Sequence, residues 1–360
     1  MLKKYYLSAL ALPLMLSSAW LQAEPTEQQW QTYNKAALEQ QILPGYQALE
    51  ARLNTLHNRL ETYCSGQVDS SQLPEVRQAY REAMDAWQGI QHVQFGPITL
   101  FMRNYALHYW PDKRGTGARQ IRSALNQTET VYDVEYFREA SVSLQGFPAM
   151  ERVLFAPETK SLLKPGQNYC RFAEGLSQHM LGTAREIRQE WQDEQKNQML
   201  QPDSSTYYSN HKAAAVPLMK SLAEPLLVIE DYKLDYVLGD HPEEARWKRS
   251  ESWRSGQTLS NIRINLESLQ ELYSGLKPLS IKSLLAAEGE EDFAETIDQE
   301  FDRLQQKLAA LSAPEKPRLS PELDRQLREL ETGISDLYEQ LELAMGVLNI
   351  QLGFNSRDGD

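Results

Sequence analysis

The carboxylate of Glu151, near the middle of the chain, lies in a segment whose glycine and proline interrupt the amphipathic helical pattern. Glu151 ends the run Gly146-Phe-Pro-Ala-Met-Glu, three residues after Pro148. Because no histidine stands beside it, a metal held here would be bound mainly by oxygen ligands. Such a ligand set suits hard cations better than zinc. Alternatively, Pro148 opens a helix, and Glu151 is an acid that the helix dipole favours in the first turn.

A second segment, later in the chain, offers a cation next to an indole ring. It reads Trp253-Arg-Ser-Gly256. Arg254 could clamp an anionic ligand with its forked guanidinium, or it could form a structural ion pair with Glu151 across a domain interface. We expect Trp253 to border the same binding region.

A third segment, residues 103–114, also interrupts the helical pattern and contains Trp-Pro-Asp. We predict that Arg103, Trp110 and Asp112 line the same cleft as Glu151. The alternative for Trp110 is core packing at a helix end. Further oxygen ligands stand on the C-terminal tail, which could equally be a frayed terminus: Asn355, Asp358 and Asp360.

The sequence contains none of the motifs that mark common catalytic sites. It has no Gly-x-Ser-x-Gly elbow, phosphate-binding loop, dinucleotide fingerprint or His-Glu-x-x-His. A hydrolytic zinc site needs about three protein ligands, which are commonly histidines. The six histidines are scattered along the chain: His57, His92, His108, His179, His211 and His241.

The elements that would position these residues are helices almost throughout. Apolar residues recur at steps of three and four, as in the stripe Leu49, Leu53, Leu56, Leu60 and Tyr63. The last stripe runs from Leu323 to Leu348, with Ser320 as its cap and Pro321 at the first helical position. A polar stretch from about residue 192 to 205 divides the stripes into two groups. We therefore predict an all-α fold of two antiparallel helical bundles, residues 24–200 and 201–360.

Composition agrees with a packed, acidic chain. Of 360 residues, 41% are hydrophobic and 24% are charged, and the formal net charge is -13. This charge argues against a nucleic-acid partner, because phosphate binding needs clustered cations. A mean hydropathy of -0.56 excludes a protein with several membrane spans.

The first residues have the layout of a secretory signal peptide, residues 1–23. Lys3 and Lys4 precede an apolar stretch, and the small residue Ala23 offers a cleavage site. We expect a periplasmic protein with no membrane span after cleavage; a retained N-terminal anchor is the alternative. In an oxidising compartment the only two cysteines, Cys64 and Cys170, are expected to form a disulfide rather than to stay free.

Several of these segments together resemble the imelysin family, and more narrowly its imelysin-like periplasmic branch. The matching pieces follow the family's order along most of the chain: Phe95-Gly96-Pro97, Tyr109-Trp110-Pro111-Asp112, Gln145 to Glu151, Trp253-Arg254-Ser255-Gly256, Gly353-Phe354-Asn355 and Asp358-Gly359-Asp360. The resemblance implies two helical bundles with a site between them and an association with iron-regulated uptake in the bacterial envelope. One founding member was described as a metal-dependent protease.

The chain departs from the family's signature, Gly-x-His-x-x-Glu, at one position. Gly146 and Glu151 stand at the signature's spacing, but Pro148 takes the place of the histidine. Proline has no metal-binding group and no backbone donor. The signature's imidazole is therefore missing from its usual position.

The resemblance, taken together with these residues, implies three alternative functions. The first is a periplasmic binding protein that serves iron uptake and holds iron, another divalent or trivalent metal, or a small ligand between its bundles. The second is a metal-dependent peptidase, against which Pro148 counts strongly. The third is an interaction protein that docks other envelope uptake proteins without a metal.

Overall fold

The computed structural model describes residues 24–352 except 68–69, 128, 206 and 315–316. Within these ranges the fold is all-α and contains no β-strand, which confirms the prediction from apolar periodicity. Two predicted features lie outside the described residues. They are the signal peptide and the tail that carries Asn355, Asp358 and Asp360.

One long helical rod opens the described chain. Helix α1 (Glu27–Ala37) continues through a π-helical turn at Leu38–Ile42 into α2 (Leu43–Cys64). Thr26 begins the rod with a capping box, in which its side chain accepts from the Gln29 backbone and the Gln29 side chain accepts from the Thr26 backbone.

The remaining α-helices follow in sequence. They are α3 (Leu73–Ile90), α4 (Arg103–Leu107), α5 (Thr116–Leu125), α6 (Val134–Glu139), α7 (Gly146–Phe155), α8 (Thr159–Leu162), α9 (Asn168–Glu190), α10 (Lys196–Leu200), α11 (His211–Val228), α12 (Tyr236–Leu238), α13 (Thr258–Gln270), α14 (Ile281–Ala287), α15 (Glu291–Ala310) and α16 (Pro321–Val347). The longest connection between them, between α12 and α13, carries the segment Trp253-Arg-Ser-Gly256. Further π-helical turns extend α9 at Trp191–Gln195, α11 at Ile229–Asp235 and α13 at Glu271–Gly275.

The helices pack into two groups that contact each other. In the first half, α2 contacts α3 and α9; in the second, α16 contacts α11 and α15, and α15 contacts α13. Helix α1 contacts α11, and α3 contacts α13. The rod formed by α1 and α2 therefore packs against both halves. The division after residue 200 stays a prediction.

Apolar stripes explain why these helices associate. The stripe on α2 from Leu49 to Tyr63 is buried, and so is the stripe on α16 from Leu323 to Leu341. Removing these side chains from water stabilises the fold by roughly 25 cal/mol per Å² of apolar surface. The predicted start of the last helix is confirmed, because α16 begins at Pro321 and the Ser320 side chain accepts from the Leu323 N–H.

The predicted disulfide is also confirmed. Cys64 and Cys170 are bonded with an S–S distance of 2.02 Å and a Cα–Cα distance of 5.5 Å. The bond joins the C-terminal end of α2 to the first turn of α9. It closes a sequence separation of 106 residues within the first half of the chain.

Candidate functional site

A cavity of about 240 Å³ lies where the two halves of the chain meet, and we call it the interbundle cavity. Its walls come from α3, α5 and α7, from residues 108–112, and from residues 248–254. Five of the predicted site residues line it together, although the sequence separates them widely. These residues are Trp110, Asp112, Glu151, Trp253 and Arg254.

A glycine allows α7 to approach this cavity. Gly146 has φ +69°, and a Cβ atom there would lie 2.1 Å from the carbonyl oxygen of Leu107 and 2.5 Å from that of Ala106. Only glycine tolerates both this conformation and this contact. Because α7 begins at Gly146 rather than Pro148, Glu151 lies beyond the first turn, and Pro148 itself lines the cavity.

Glu151 joins the two halves through its buried carboxylate. Its Oε1 atom accepts hydrogen bonds from the backbone N–H and the hydroxyl of Ser255, both at 2.9 Å. Its Oε2 atom lies 3.9 Å from Nη1 of Arg254. Burial raises the pKa of Glu151, and the hydrogen bonds from Ser255 and the charge of Arg254 oppose that rise. The residues predicted to meet across the interface therefore do meet.

Arg254 is held against an aromatic face. Its guanidinium carbon lies 4.3 Å from the centroid of the Trp253 ring, a cation–π distance. Burial lowers the pKa of Arg254, and the neighbouring positive charge of Arg152 lowers it further. Two guanidinium groups thus share one part of the cavity wall with a single carboxylate, that of Glu151.

Trp110 and Asp112 line the cavity from the segment that precedes α5. The Trp110–Pro111 peptide bond is cis. Asp112 stands before α5, where Oδ1 accepts from the Thr116 N–H at 2.7 Å and Oδ2 accepts from the Gly117 N–H at 2.9 Å. Both carboxylate oxygens therefore already hold backbone donors at a helix start.

Arg103 lies apart from these residues. It does not line the interbundle cavity, and its guanidinium donates two hydrogen bonds of 2.7 Å to Glu190 and one of 3.1 Å to Glu186. It also donates to the carbonyl oxygen of Pro97. This bidentate arrangement ties the start of α4 to the end of α9.

A buried charged cluster lies behind the cavity wall and reaches the cavity through Glu251, and the sequence patterns do not identify it. Lys233 donates to Glu251 Oε2 at 3.0 Å, to Gln88 at 2.9 Å and to Asn265 at 2.6 Å. Three acceptors match the three donors of a charged ammonium. Asn261 also donates to Glu251 Oε2. Burial raises the pKa of Glu251, but Lys233 and its other neighbours outweigh burial and leave the pKa lowered.

His108 faces the same carboxylate from the first half of the chain. Its Nε2 atom lies 3.2 Å from Glu251 Oε1, yet that oxygen accepts no hydrogen bond of proper geometry. Burial lowers the pKa of His108 to about 4, with Glu251 opposing and Lys233 adding to the shift. The cavity is therefore lined by an imidazole, that of His108, although proline stands at position 148, where the family signature has its histidine.

The donor set does not form a metal cage of protein side chains. Within residues 24–352, apart from the gaps given above, no three or more His, Cys, Asp or Glu residues are grouped so that they could hold a metal ion. Glu251 is engaged by Lys233, and Asp112 by backbone donors. Two described carboxylate oxygens of the cavity lack a hydrogen bond: Glu151 Oε2, which has the distant Arg254 contact, and Glu251 Oε1, which faces His108. The described side chains of the cavity therefore do not supply the three or more protein ligands of a closed metal site.

The fold and the cavity define a class: an all-helical protein of two associated bundles with a charged cavity at their junction. A family model described as imelysin (peptidase M75) matches residues 42–344. The chain therefore belongs to the imelysin family, which confirms the resemblance read from its segments.

Individual relatives agree with this assignment. The iron-regulated protein A of Synechococcus elongatus is 26% identical over 313 residues, which cover 85% of this chain and 83% of that protein. An imelysin-like protein from Psychrobacter arcticum 273-4 has a TM-score of 0.75 at 19% identity, covering 92% of this chain and 99% of the other. A candidate iron-regulated protein A precursor from Parabacteroides distasonis has a TM-score of 0.70 at 16% identity, covering 91% and 95%. At these identities the two structures show the shared fold.

Proposed function

We propose that this imelysin-family protein acts in the periplasm in iron acquisition and holds a metal or a small ligand in the interbundle cavity. The observation that carries the proposal is the meeting of Glu151 and Arg254, which come from different halves of the chain and face one cavity. A site shared by two bundles can respond to a ligand that contacts both. Other envelope uptake proteins are the partners we propose for the loaded protein.

The link to iron is supported by two relatives whose names describe them as iron-regulated protein A. The proposal of export is supported by the basic and apolar layout of residues 1–23 and by a relative that is named a precursor. None of the helices described between residues 24 and 352 is long and apolar enough to cross a membrane.

The binding proposal is preferred to the peptidase. A zinc hydrolase presents about three protein ligands and keeps one position open. Here Pro148 stands at the signature histidine position, and the described carboxylates of the cavity are engaged by Ser255, Lys233 and backbone donors. We therefore assign Glu151, which is not paired with a lysine as Glu251 is, as the side chain that completes a metal's coordination through Oε2.

Iron binding by the chain that begins at residue 24 tests this proposal. The protein is dialysed against ferrous iron and against ferric citrate, and bound iron is counted per chain. We expect close to one iron per chain and at least tenfold weaker binding in Glu151→Gln. Glu174→Gln, a change outside the cavity, is the matched control and should bind as the unmodified protein does. Failure to retain iron in either form would refute the proposal.

A further inference from the structure

The charge of the interbundle cavity is opposite in sign to that of the whole chain. The formal net charge is -13, yet the cavity is lined by more cationic than acidic side chains. The cations are Arg152, Lys248, Arg249 and Arg254, and the acids are Asp112, Glu151 and Glu251. An acidic protein that concentrates cations at one concave position attracts anions there.

The acids of the cavity do not neutralise those cations. Glu251 is paired with Lys233, which lies behind the wall, and Asp112 is held by two backbone N–H groups. Glu151 accepts both of its short hydrogen bonds from Ser255 and approaches Arg254 only to 3.9 Å. Because Lys233 cancels Glu251, the four cations of the lining face the two carboxylates of Asp112 and Glu151, and the lining keeps a net positive charge.

The cations themselves have few partners among the described residues. Arg152 forms no ion pair there, and Lys248 lies over the Trp253 ring at 5.6 Å. Arg249 lies over Tyr236 at 5.4 Å and donates a long hydrogen bond to its carbonyl oxygen. Guanidinium and ammonium groups without carboxylate partners are the donors that carboxylates bind.

The walls also fix the size and character of a ligand. The cavity volume of about 240 Å³ lies just below the range of roughly 300–1,000 Å³ of pockets that bind drug-sized molecules, so the cavity suits a small ligand. Trp110, Tyr109 and Trp253 give it aromatic surface that an organic ligand can cover. A small organic molecule with several negative groups satisfies both limits, whereas inorganic phosphate has no apolar part to place against the rings.

We infer that the interbundle cavity binds a small organic polycarboxylate through Arg152, Arg254 and Lys248, and that any metal enters as an anionic chelate of that ligand rather than as a bare ion. This inference depends on the proposed function, because it identifies what the same cavity recognises. Glu151 Oε2 would then add one protein oxygen to a metal whose other ligands come from the chelate.

Calorimetric titration with citrate, ferric citrate and inorganic phosphate tests the inference on the chain from residue 24. We expect citrate or ferric citrate to bind at one site per chain, and binding to weaken as sodium chloride is raised. Arg152→Gln with Arg254→Gln should weaken binding at least tenfold, and Lys248→Gln, an exposed change, should weaken it severalfold. Arg325→Gln, an exposed arginine on α16, is the control and should bind normally.

The arms of the titration separate the two sources of carboxylate. Equal affinity for citrate and ferric citrate would show that the cavity recognises the free polycarboxylate. Tighter binding of ferric citrate, lost in Glu151→Gln, would show that it recognises the metal chelate. Phosphate that binds as tightly as citrate, or arginine variants that fold and bind normally, would overturn the inference. If ferrous iron alone then binds and Glu151→Gln abolishes that binding, the proposed function survives without the inference. If no probe binds, both fail.

Discussion

The molecule has two concave regions of opposite charge. The interbundle cavity is small, cation-rich and partly closed, whereas a groove on the first half of the chain measures about 560 Å³ and is acidic. The residues of the groove that carry ionisable groups are His57, Glu61, Glu129, Asp133, Arg171 and Glu174, together with Tyr132. Glu61, Glu129 and Asp133 are exposed, and burial followed by the nearby charge of Glu61 raises the pKa of Glu174.

The difference teaches that the number of carboxylates in a concave region and the rigidity with which they are held are separate properties. Exposed charges in the groove are screened by water and salt and keep their side-chain freedom. In the cavity, Glu151 and Glu251 are buried and held by named donors, so their positions are set before a ligand arrives. Fixed, desolvated groups give stronger and more selective contacts. The following predictions test this contrast.

The largest effect on stability is expected from removal of the disulfide, which lies next to the groove. Cys64 lies three residues after Glu61, and Cys170 directly precedes Arg171. Replacing both cysteines with serine should lower the free energy of unfolding by about 5 kcal/mol, because the bond closes a loop of 106 residues in the unfolded chain. Urea unfolding of the oxidised protein and the double variant measures the loss.

The cavity should not depend on that bond under native conditions. Ligand affinity of the Cys64→Ser, Cys170→Ser protein is therefore expected to match that of the oxidised protein at temperatures where both are folded. If the double variant instead lost ligand affinity, the groove and the cavity would be energetically coupled. That result would contradict the contrast drawn between the two regions.

The next largest effect is expected from the buried cluster around Lys233, behind the cavity wall. Lys233→Met leaves the buried Glu251 without its cation and should cost about 3 to 5 kcal/mol of unfolding free energy. The double change Lys233→Met, Glu251→Leu should recover much of the loss, because no unpaired charge stays buried. Glu174→Gln in the groove should change stability by less than about 0.5 kcal/mol. Equal losses for Lys233→Met and Glu174→Gln in chemical denaturation would contradict the contrast.

A smaller, pH-dependent effect is expected from His108. Its pKa is about 4 in the folded protein, against an ordinary value of 6.5, so between these pH values the unfolded chain binds a proton that the folded chain does not. Stability therefore falls as pH is lowered through this window, by about 1.4 kcal/mol per pH unit for each such histidine. Burial lowers the pKa values of His92 and His179 to about 4 as well, with the same sign.

His108→Asn isolates the contribution of the cavity. The slope of unfolding free energy against pH between 6.5 and 4 should become shallower by about 1.4 kcal/mol per pH unit, while the slopes above pH 7.5 stay the same. An unchanged slope below pH 6.5 would mean that His108 is not buried beside Glu251 and Lys233 in solution.

The fold could be predicted largely from local pattern. Apolar spacing gave the helices, as at Leu49 and Leu53, and the Ser320-Pro321 pair placed the start of α16 where the structure has it. The start of α7 was misplaced toward Pro148, because Gly146 enters the helix through a contact with the carbonyl oxygens of α4 that no local pattern contains.

The candidate site could be predicted only where unusual residues marked it. Glu151 and Arg254 stood in segments that interrupt the helical pattern, and the structure brings them together. Lys233 gave no such signal, since a lysine on a helix is ordinary until its partners are known. Gln88 lies 145 residues from Lys233 along the chain, and their contact depends on how the two halves pack.

The rod formed by α1 and α2 has a consequence for how this architecture can be inherited. Spanning residues 27–64, it is roughly 57 Å long at 1.5 Å per residue, and its two ends lie against different bundles. A recombination event that exchanged one bundle for that of another gene would cut through a continuous helix or leave α11 without its neighbour. Exchange of one bundle alone would therefore leave part of the apolar surface of the rod without its partner.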